Sequence, residues 1–306
     1  MAAIDPVFLD SPQYECAPLG EALDCSITLK VETLNPVRSF KARGTETVMS
    51  SLSSGQNAPA TVCASAGNLG QALAYSGAQR GIPVTVIAAE GANPGKIARI
   101  KALGATVRLE GHDIEHARLL ARRVAQLEGA YLVEDSLDVS TCEGAGTIGL
   151  ELLERTQVDT LLIALGGGAL ASGVGYVAKS LAPHVEVIAV QPAGAPAMGL
   201  SWRQGSIVET DTMDTIADGV AGRCPIPEVL EDLLVVIDDV ALVSEDSIKA
   251  GMRLLYRHAG LVVEPSAALG VAAVLEDRER FAARRVATIV CGSNVMPSDF
   301  ERWALS

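Results

Sequence analysis

The stretch Thr160-Leu-Leu-Ile-Ala-Leu-Gly-Gly-Gly-Ala-Leu170 decides the fold class. An apolar run enters consecutive glycines, and small and apolar residues with helical spacing then continue to Leu181. This order is typical of a buried parallel strand, a tight loop and a helix. Backbone N–H groups at such a helix start can surround a phosphate, and glycine lets the phosphate approach closely. The stretch therefore predicts an anion site, and tight packing of helix on sheet is the alternative explanation.

A dinucleotide site is a further alternative for the same loop. The loop formally satisfies the G-x-G-x-x-A pattern, which expects an acidic residue at the end of the following strand. The chain has Gln191 at that place. A phosphate monoester is therefore a better candidate ligand than a dinucleotide.

Composition limits the partners and the compartment. The chain has 306 residues, a formal net charge of −13 and no basic run, so nucleic acid and anionic membranes are poor partners. The uncharged stretch Thr160–Ala178 is long enough to suggest a membrane span, but its glycines favour a buried strand, turn and helix. The six cysteines form no C-x-x-C pair, and Met1–Pro6 shows no signal-peptide pattern. We expect a cytoplasmic protein that acts on a small molecule.

Short β-branched runs alternate with longer helical patterns along the chain. The predicted strands are Ser26–Val31, Ala60–Ala64, Val84–Ala88, Thr106–Leu109, Tyr131–Val133, Thr160–Ala164, Val185–Val190 and Arg285–Val290. The predicted helices are Gly67–Gln79, Gly95–Leu103, Ile114–Leu127, Gly144–Arg155, Leu170–Leu181 and Glu245–His258. Such alternation predicts βαβ units and an α/β fold, in which ligands bind beyond the carboxyl ends of the strands.

A second informative stretch, Asn35–Gly44, places Lys41 just after a turn, at the start of a helix. The helix dipole disfavours positive charge at that end. A lysine placed there gives up its proton more readily, and a neutral amine can form a Schiff base with a carbonyl. An ordinary solvated lysine is the alternative when this stretch is considered alone.

A set of short motifs occurs along the chain in a defined order. They are Ser39-Phe40-Lys41-Ala42-Arg43-Gly44, Ser65-Ala66-Gly67-Asn68, Glu143-Gly144-Ala145-Gly146-Thr147, Gly166–Leu170, Ile216-Ala217-Asp218-Gly219, Glu264-Pro265-Ser266 and Cys291-Gly292-Ser293-Asn294. The ordered set resembles the tryptophan-synthase-β-like superfamily of pyridoxal-phosphate enzymes, fold type II. Within that superfamily, the chain is most similar to the serine/threonine dehydratases. The resemblance covers most of the chain, from Pro18 to Asn294.

The resemblance implies pyridoxal 5′-phosphate as cofactor and a role for each matching residue. Lys41 would form the Schiff base and carry the proton from the substrate α-carbon, while Phe40 would pack against the cofactor ring. Asn68 would bind the phenolic oxygen, Gly219 would contact the ring through its backbone, and Cys291 would face the ring nitrogen. The remaining implied ligands are Ser65, Gly67, Asn68 and Leu69 for the substrate carboxylate, and Gly166, Gly167, Gly168, Ala169 and Leu170 for the phosphate.

The resemblance also implies a homodimer and two domains, each a mostly parallel twisted sheet flanked by helices. No low-complexity linker divides the chain, so we expect the smaller domain to be a continuous insertion. The large cofactor-binding domain is predicted to comprise residues 1–44 and 139–306. The small mobile domain is predicted to comprise residues 45–138.

Three positions indicate which reaction follows. Cys291 is a neutral partner for the ring nitrogen, which favours β-elimination over transamination. Ala66 stands where racemases of this group carry a hydroxyl base, and alanine cannot exchange a proton. Leu69 replaces the histidine common in these dehydratases, so we expect a more apolar substrate pocket. We predict α,β-elimination of a β-hydroxy amino acid such as serine or threonine to a 2-oxo acid and ammonia.

Other interpretations stay open at this point. β-Replacement of the cysteine synthase type and amino-acid racemisation would use the same cofactor. A catalytically silent ligand-binding homologue would be expected to lose Lys41, which this chain keeps. Glu143 either caps its helix or orients the surroundings of Lys41, and Glu264 either lines the ring-nitrogen side or begins a helix. Asp218 and its acidic neighbours offer oxygen ligands for a cation, but clustered acids are more often a solvated surface, so no metal site is predicted.

Overall fold

The computed structural model describes residues 1–55 and 58–306. The strands are β1 Gln13–Glu15, β2 Ser26–Val31, β3 Thr61–Ala64, β4 Val84–Ala88, β5 Thr106–Leu109, β6 Tyr131–Leu132, β7 Thr160–Ala164, β8 Glu186–Pro192, β9 Asp239–Val243 and β10 Arg285–Val290. The helices are α1 Ala17–Leu23, α2 Lys41–Ser53, α3 Asn68–Arg80, α4 Pro94–Ala102, α5 Ile114–Glu128, α6 Val139–Arg155, α7 Ala169–Leu181, α8 Ala197–Gln204, α9 Pro227–Val236, α10 Glu245–Ala259, α11 Leu269–Glu276, α12 Arg278–Phe281 and α13 Pro297–Phe300. Single helical turns occur at Pro6–Phe8, Asp218–Val220, Pro265–Ala268 and Glu301–Leu305.

The strands form two sheets. The larger has the order β1-β2-β10-β7-β8-β9, in which β1 pairs antiparallel with β2 and the other strand pairs are parallel. The smaller sheet, β5-β4-β3-β6, is parallel and comes from residues between the first two and the last four strands of the larger one. Helices flank both sheets, which confirms the predicted α/β fold.

The predicted strands agree with the structure, and two further strands lie at the edges of the larger sheet. The added strands are β1, which is short and partly exposed, and β9. Edge strands bury one side less completely, so their apolar pattern is weaker. Helix α6 begins at Val139 rather than at the predicted Gly144, because the Asp138 carboxylate caps it by accepting the Ser140 N–H.

Close helix packing sets the position of α2, the helix that begins at Lys41. A Cβ added at Gly144 would collide with the Arg43 carbonyl, and one at Gly44 would come within 2.9 Å of Thr141 Cα. The glycines therefore allow α2 and α6 to approach backbone to backbone. This contact holds the start of α2 against the larger sheet.

A buried cluster of charges fixes the same helix. Arg43 donates to Glu32 at 2.8 Å and to Glu151 at 2.6 Å, and Lys30 donates to Glu151 at 2.6 Å. These four side chains are at most 2 % exposed. Burial alone would raise the pKa of Glu151, but hydrogen bonds from Arg43 and Lys30 hold the pKa at about 2. Arg43 follows Lys41 by two residues, so the cluster anchors the first turn of α2.

The uncharged Thr160–Ala178 stretch is the buried strand β7, a glycine loop and most of α7. In residues 1–55 and 58–306, no helix is long and apolar enough to cross a membrane.

Candidate active site

One cavity of about 560 Å³ lies where the loops after β3, β6, β7 and β10 converge. Its lining includes each residue for which the sequence implied a role: Phe40, Lys41, Ser65, Gly67, Asn68, Leu69, Gly166, Gly167, Gly168, Ala169, Leu170, Gly219 and Cys291. Sites at the carboxyl ends of parallel strands are expected for this type of fold. The structure thus brings the residues together, while their roles toward a ligand stay predictions.

Lys41 opens α2 at the wall of this cavity. The preceding residue, Phe40, donates its N–H to the Cys291 carbonyl at 3.0 Å, which ties the lysine turn to the loop after β10. The Lys41 ammonium lies 4.6 Å from the centre of the Phe40 ring and forms an ion pair with Asp135. The side chain is 15 % exposed. Lys41 is therefore a cavity residue and not an ordinary solvated lysine.

Asn68 is the first residue of α3, and Gly67 precedes it as the N-cap. Its side chain does not cap the helix but bonds to residues from two other loops. The amide nitrogen donates to Glu264 at 2.7 Å, and the amide oxygen accepts from Asn294 at 2.7 Å. Both ends of the amide are fixed, so the orientation of Asn68 is set before any ligand binds.

Glu264 lines the cavity, as the first of its two interpretations requires. It is 6 % exposed and accepts the Asn294 N–H at 2.9 Å in addition to the Asn68 amide. Burial raises the pKa of the Glu264 carboxyl. Neither interpretation of Glu143 holds, because this residue is exposed within α6 and Asp138 caps that helix.

The glycine loop before α7 has the features of a phosphate cradle. Gly168 is the N-cap with a φ of 109° and, as a glycine, offers no side chain to cap the helix; the Ala169 N–H is bound by Ser136. A Cβ at Gly166 would come within 2.8 Å of Val220 Cα, so only glycine fits there. Ser172 in the first turn is 6 % exposed, and its hydroxyl has no hydrogen-bond partner in the described structure. A close backbone approach through glycine and the spare Ser172 hydroxyl at a helix start suit a phosphate.

Two other lining residues, Cys291 and Ser266, suit a neutral contact to a ring nitrogen. Cys291 is 4 % exposed, and burial, together with the nearby Glu264, raises the pKa of its thiol, which stays protonated. Ser266, adjacent to Gly219, has a buried hydroxyl without a partner in the part of the chain that is described. These two groups fit a pyridine nitrogen that receives no carboxylate.

Asp135 and Ser136 are among the residues at the site for which the sequence predicted no role. Asp135 contacts Lys41, and the Ser136 hydroxyl accepts the Ala169 N–H at 2.9 Å. Ser136 has a φ of 73°, a conformation that residues other than glycine rarely adopt. The signal in the sequence is the polar run Glu134-Asp135-Ser136 directly after a predicted strand, where ligands of parallel sheets bind.

The acidic region around Asp218 does not form a metal centre in the described residues. Asp218 forms an ion pair with Lys96. No group of three or more His, Cys, Asp or Glu side chains with a suitable arrangement occurs in residues 1–55 and 58–306. Gln191, the residue that argues against a dinucleotide, is buried and accepts the Gly199 N–H at 2.8 Å.

Two sheets whose loops place a lysine, a fixed asparagine and a glycine cradle around one cavity define a pyridoxal-phosphate enzyme of fold type II. The chain belongs to the family "Pyridoxal-phosphate dependent enzyme", which matches residues 4–292. It is 35 % identical to an L-threonine ammonia-lyase of Thermotoga maritima, over 90 % of this chain and 69 % of that protein. It is 33 % identical to a phenylserine dehydratase of Ralstonia pickettii, over 97 % of this chain and 90 % of that one.

Among solved structures, maize serine racemase superposes with a TM-score of 0.89 at 28 % identity, covering 95 % of this chain and 90 % of that chain. The predicted family, fold and cofactor are thereby confirmed. The dehydratase relatives support the predicted ammonia-lyase class. The racemase shows that the fold alone does not decide between the reactions.

Proposed function

We propose that this protein is an ammonia-lyase that removes water from a β-hydroxy amino acid such as serine or threonine, giving a 2-oxo acid and ammonia. The observation that carries the proposal is the convergence of Lys41, Asn68 and the glycine loop on one cavity. When bound, pyridoxal phosphate supplies an aldehyde for the lysine amine and a ring that accepts electrons from the substrate α-carbon.

The chain's own residues divide the work of binding. The start of α3 with Ser65, Gly67, Asn68 and Leu69 receives the substrate carboxylate, because N–H groups and the helix dipole favour an anion there. The loop Gly166–Leu170 receives the phosphate, and Phe40 and Gly219 enclose the ring. Cys291 and Ser266 offer the ring nitrogen a neutral partner.

Lys41 holds and moves the proton. Its amine lies inside the cavity and takes the α-proton of the substrate from one face. Ala66, which also lines the cavity, carries no group that could return a proton from another direction. This favours elimination over racemisation.

Steady-state assays of the cofactor-loaded protein test the proposal. We expect ammonia and 2-oxo acid from serine, threonine or phenylserine, and a loss of about 10³-fold or more in Lys41→Ala, which lacks the base and the cofactor bond. Lys101→Ala, an exposed lysine on α4, is the matched control. Racemisation faster than elimination, measured by chiral chromatography, would contradict the proposal.

We propose a homodimer as the working form. An open groove of about 1110 Å³ is bordered by exposed apolar side chains that include Leu34, Val262 and Leu305, at 70 %, 48 % and 51 % exposure. Exposed apolar surface of this kind is typical of an interface between proteins. The groove is also lined by Asn35, Pro36 and Arg38, which belong to the turn before Lys41. Light scattering after gel filtration is expected to give twice the chain mass, and Leu34→Glu to give a monomer. Leu127→Glu, on an equally exposed leucine of α5, is the control.

We also propose a cytoplasmic location and a mobile small domain. All six cysteines are free thiols, as a reducing compartment allows.

The smaller sheet lies within the proposed small domain, residues 45–138, and the larger sheet within residues 1–44 and 139–306. The boundary at residue 44 falls inside α2, so this helix would be the pivot.

A further inference from the structure

The cavity contains more acidic side chains than ligand binding explains. Five carboxylates line it: Asp113, Glu134, Asp135, Asp218 and Glu264. Four of these carboxylates have partners other than Lys41. Asp113 pairs with Arg223 at 2.8 Å, Glu134 with Arg122 at 2.6 Å, Asp218 with Lys96, and Glu264 with two amide groups.

Asp135 is different, because its contact in the described structure is the reactive amine itself. One carboxylate oxygen contacts the Lys41 nitrogen, and the other is buried without a hydrogen-bond partner among the described residues. The side chain is 22 % exposed. Asp135 therefore lies directly beside the amine that the proposed reaction uses.

Dehydration needs an acid as well as a base. Hydroxide is a poor leaving group, so the β-oxygen must receive a proton as its bond to carbon breaks. Transfer of one proton across this contact, from the Lys41 ammonium to the Asp135 carboxylate, would leave a neutral amine beside a carboxylic acid. A base and an acid are then present side by side.

We propose that Asp135 is the acid that protonates the departing β-hydroxyl, an inference that rests on the proposed function. Lys41 takes the α-proton, and the electron pair of that C–H bond forms the double bond between the α- and β-carbons. The β C–O bond breaks with its electron pair, Asp135 gives its proton to that oxygen, and water leaves. The ammonium of Lys41 then returns one proton to the Asp135 carboxylate, which restores the neutral amine and the carboxylic acid for the next turnover.

A comparison of two leaving groups tests this role. L-Serine needs a proton on its leaving oxygen, whereas β-chloro-L-alanine releases chloride without one. In Asp135→Asn, we expect kcat/KM for L-serine to fall about 10²- to 10⁴-fold, which is the range of general acid catalysis. We expect kcat/KM for β-chloro-L-alanine to change less than about threefold. Glu134→Gln is the matched control, since this neighbour lines the same cavity but pairs with Arg122. It should leave the ratio of the two substrates unchanged.

Two further readouts do not depend on turnover. Borohydride reduction with pyridoxal phosphate should attach the cofactor to Lys41 in Asp135→Asn as in the unaltered protein. In the cofactor-free protein, acetic anhydride at neutral pH should label Lys41 faster in Asp135→Asn, because the amine has lost its counter-ion. Equal labelling would show that Asp135 does not act on the amine and would overturn the proposal.

The kinetic outcomes are equally decisive. If kcat/KM of Asp135→Asn falls equally for L-serine and β-chloro-L-alanine, Asp135 has only a structural role. If kcat/KM falls for neither substrate, Asp135 has no role in the reaction. Either result overturns the proposal. If the unaltered, loaded protein eliminates neither substrate and no other β-hydroxy amino acid, the proposed function itself fails. That result is distinct, because it does not involve the variant.

Discussion

At the scale of single residues, the Asn68 amide shows how the site is organised before a ligand arrives. Glu264 accepts from its nitrogen, and Asn294 donates to its oxygen. In this fixed orientation, Asn68 lines the cavity. A fixed donor costs less to use in binding than one that must be ordered first.

Removal of Glu264 should loosen this arrangement. Glu264→Ala leaves the Asn68 amide and the Asn294 N–H without their acceptor, which costs about 1–3 kcal/mol for a buried group. We expect the Kd for pyridoxal phosphate, measured by absorbance titration, to rise about tenfold or more. Glu143→Ala, at an exposed carboxylate on α6, should leave the Kd unchanged. An unaltered Kd in Glu264→Ala would show that Asn68 does not need its acceptor.

The residue scale also shows what the sequence could and could not predict. Lys41, Asn68 and Cys291 stand in ordered motifs, so the resemblance implied them and the structure placed them around one cavity. Asp135 stands in no such motif, and its contact with Lys41 joins residues 94 positions apart. Such a contact depends on how α2 lies against the end of β6, which local patterns do not specify.

At the scale of elements, the first turn of α2 depends on buried charge rather than on a cap. Glu151 on α6 receives hydrogen bonds from Arg43 on α2 and Lys30 on β2, so three elements meet at one carboxylate. Removing one partner of a buried ion pair leaves the others uncompensated. The position of Lys41 therefore rests on a group outside the cavity.

Glu151→Gln is expected to lower the free energy of unfolding by about 3 kcal/mol, measured by urea denaturation at pH 7. The effect also has a direction in pH. Because the pKa of Glu151 falls from 4.5 to about 2 on folding, its stabilisation is complete above pH 4.5 and is lost as the pH falls toward about 2. The difference in free energy of unfolding between the unaltered protein and Glu151→Gln should therefore shrink as the pH falls from 4.5 toward about 2. A difference that stays constant down to pH 2 would contradict the assignment.

The loop before α7 gives a second prediction for an element. Gly168 has a φ of 109°, and a Cβ there would collide with Val229. Gly168→Ala should displace the loop and raise the Kd for pyridoxal phosphate about tenfold or more.

Gly205→Ala provides the matched control for that experiment. Gly205 has a φ of 70° at the end of α8, and a Cβ there meets no described atom within 4 Å. It should cost about 1 kcal/mol of stability through backbone strain and leave the Kd as it was. Equal effects of the two variants on the Kd would mean that the loop does not hold the phosphate.

Helices and strands were predictable where the pattern is strong. β2, β4, β5, β7 and β10 begin and end where the sequence predicted, because each is an apolar run bounded by turn residues. The predicted start of α6 was wrong, because Asp138 caps the helix at a point that precedes the regular apolar spacing in the sequence. A cap is a single contact, and a periodic pattern does not detect it.

At the scale of the whole molecule, two ion pairs connect the parts that carry the two sheets. Lys96 on α4 pairs with Asp218, and Arg223 pairs with Asp113 at the start of α5. The His116 N–H and Arg223 together lower the pKa of Asp113, so this carboxylate stays charged. Lys96, Asp113 and Asp218 line the cavity, so each ion pair has at least one member there. We propose that they hold the small domain closed over bound substrate.

Arg223→Gln should therefore favour the open form. We expect KM for the substrate to rise a few-fold with kcat changed less, since an ion pair of this exposure contributes up to about 1 kcal/mol. Added salt should raise KM of the unaltered protein and affect the variant less. Arg108→Gln, which breaks an exposed pair with Glu128 inside the proposed small domain, is the control. A KM that is insensitive to both salt and Arg223→Gln would contradict the closure proposal.

The central claim is that Lys41 carries the cofactor. The most direct measurement is borohydride reduction of the protein with pyridoxal phosphate, followed by peptide mapping by mass spectrometry. We expect a single pyridoxyl adduct, on Lys41. Lys96 lines the same cavity and is the natural competitor. An adduct on Lys96, or none on Lys41, would show that Lys41 does not bind the cofactor.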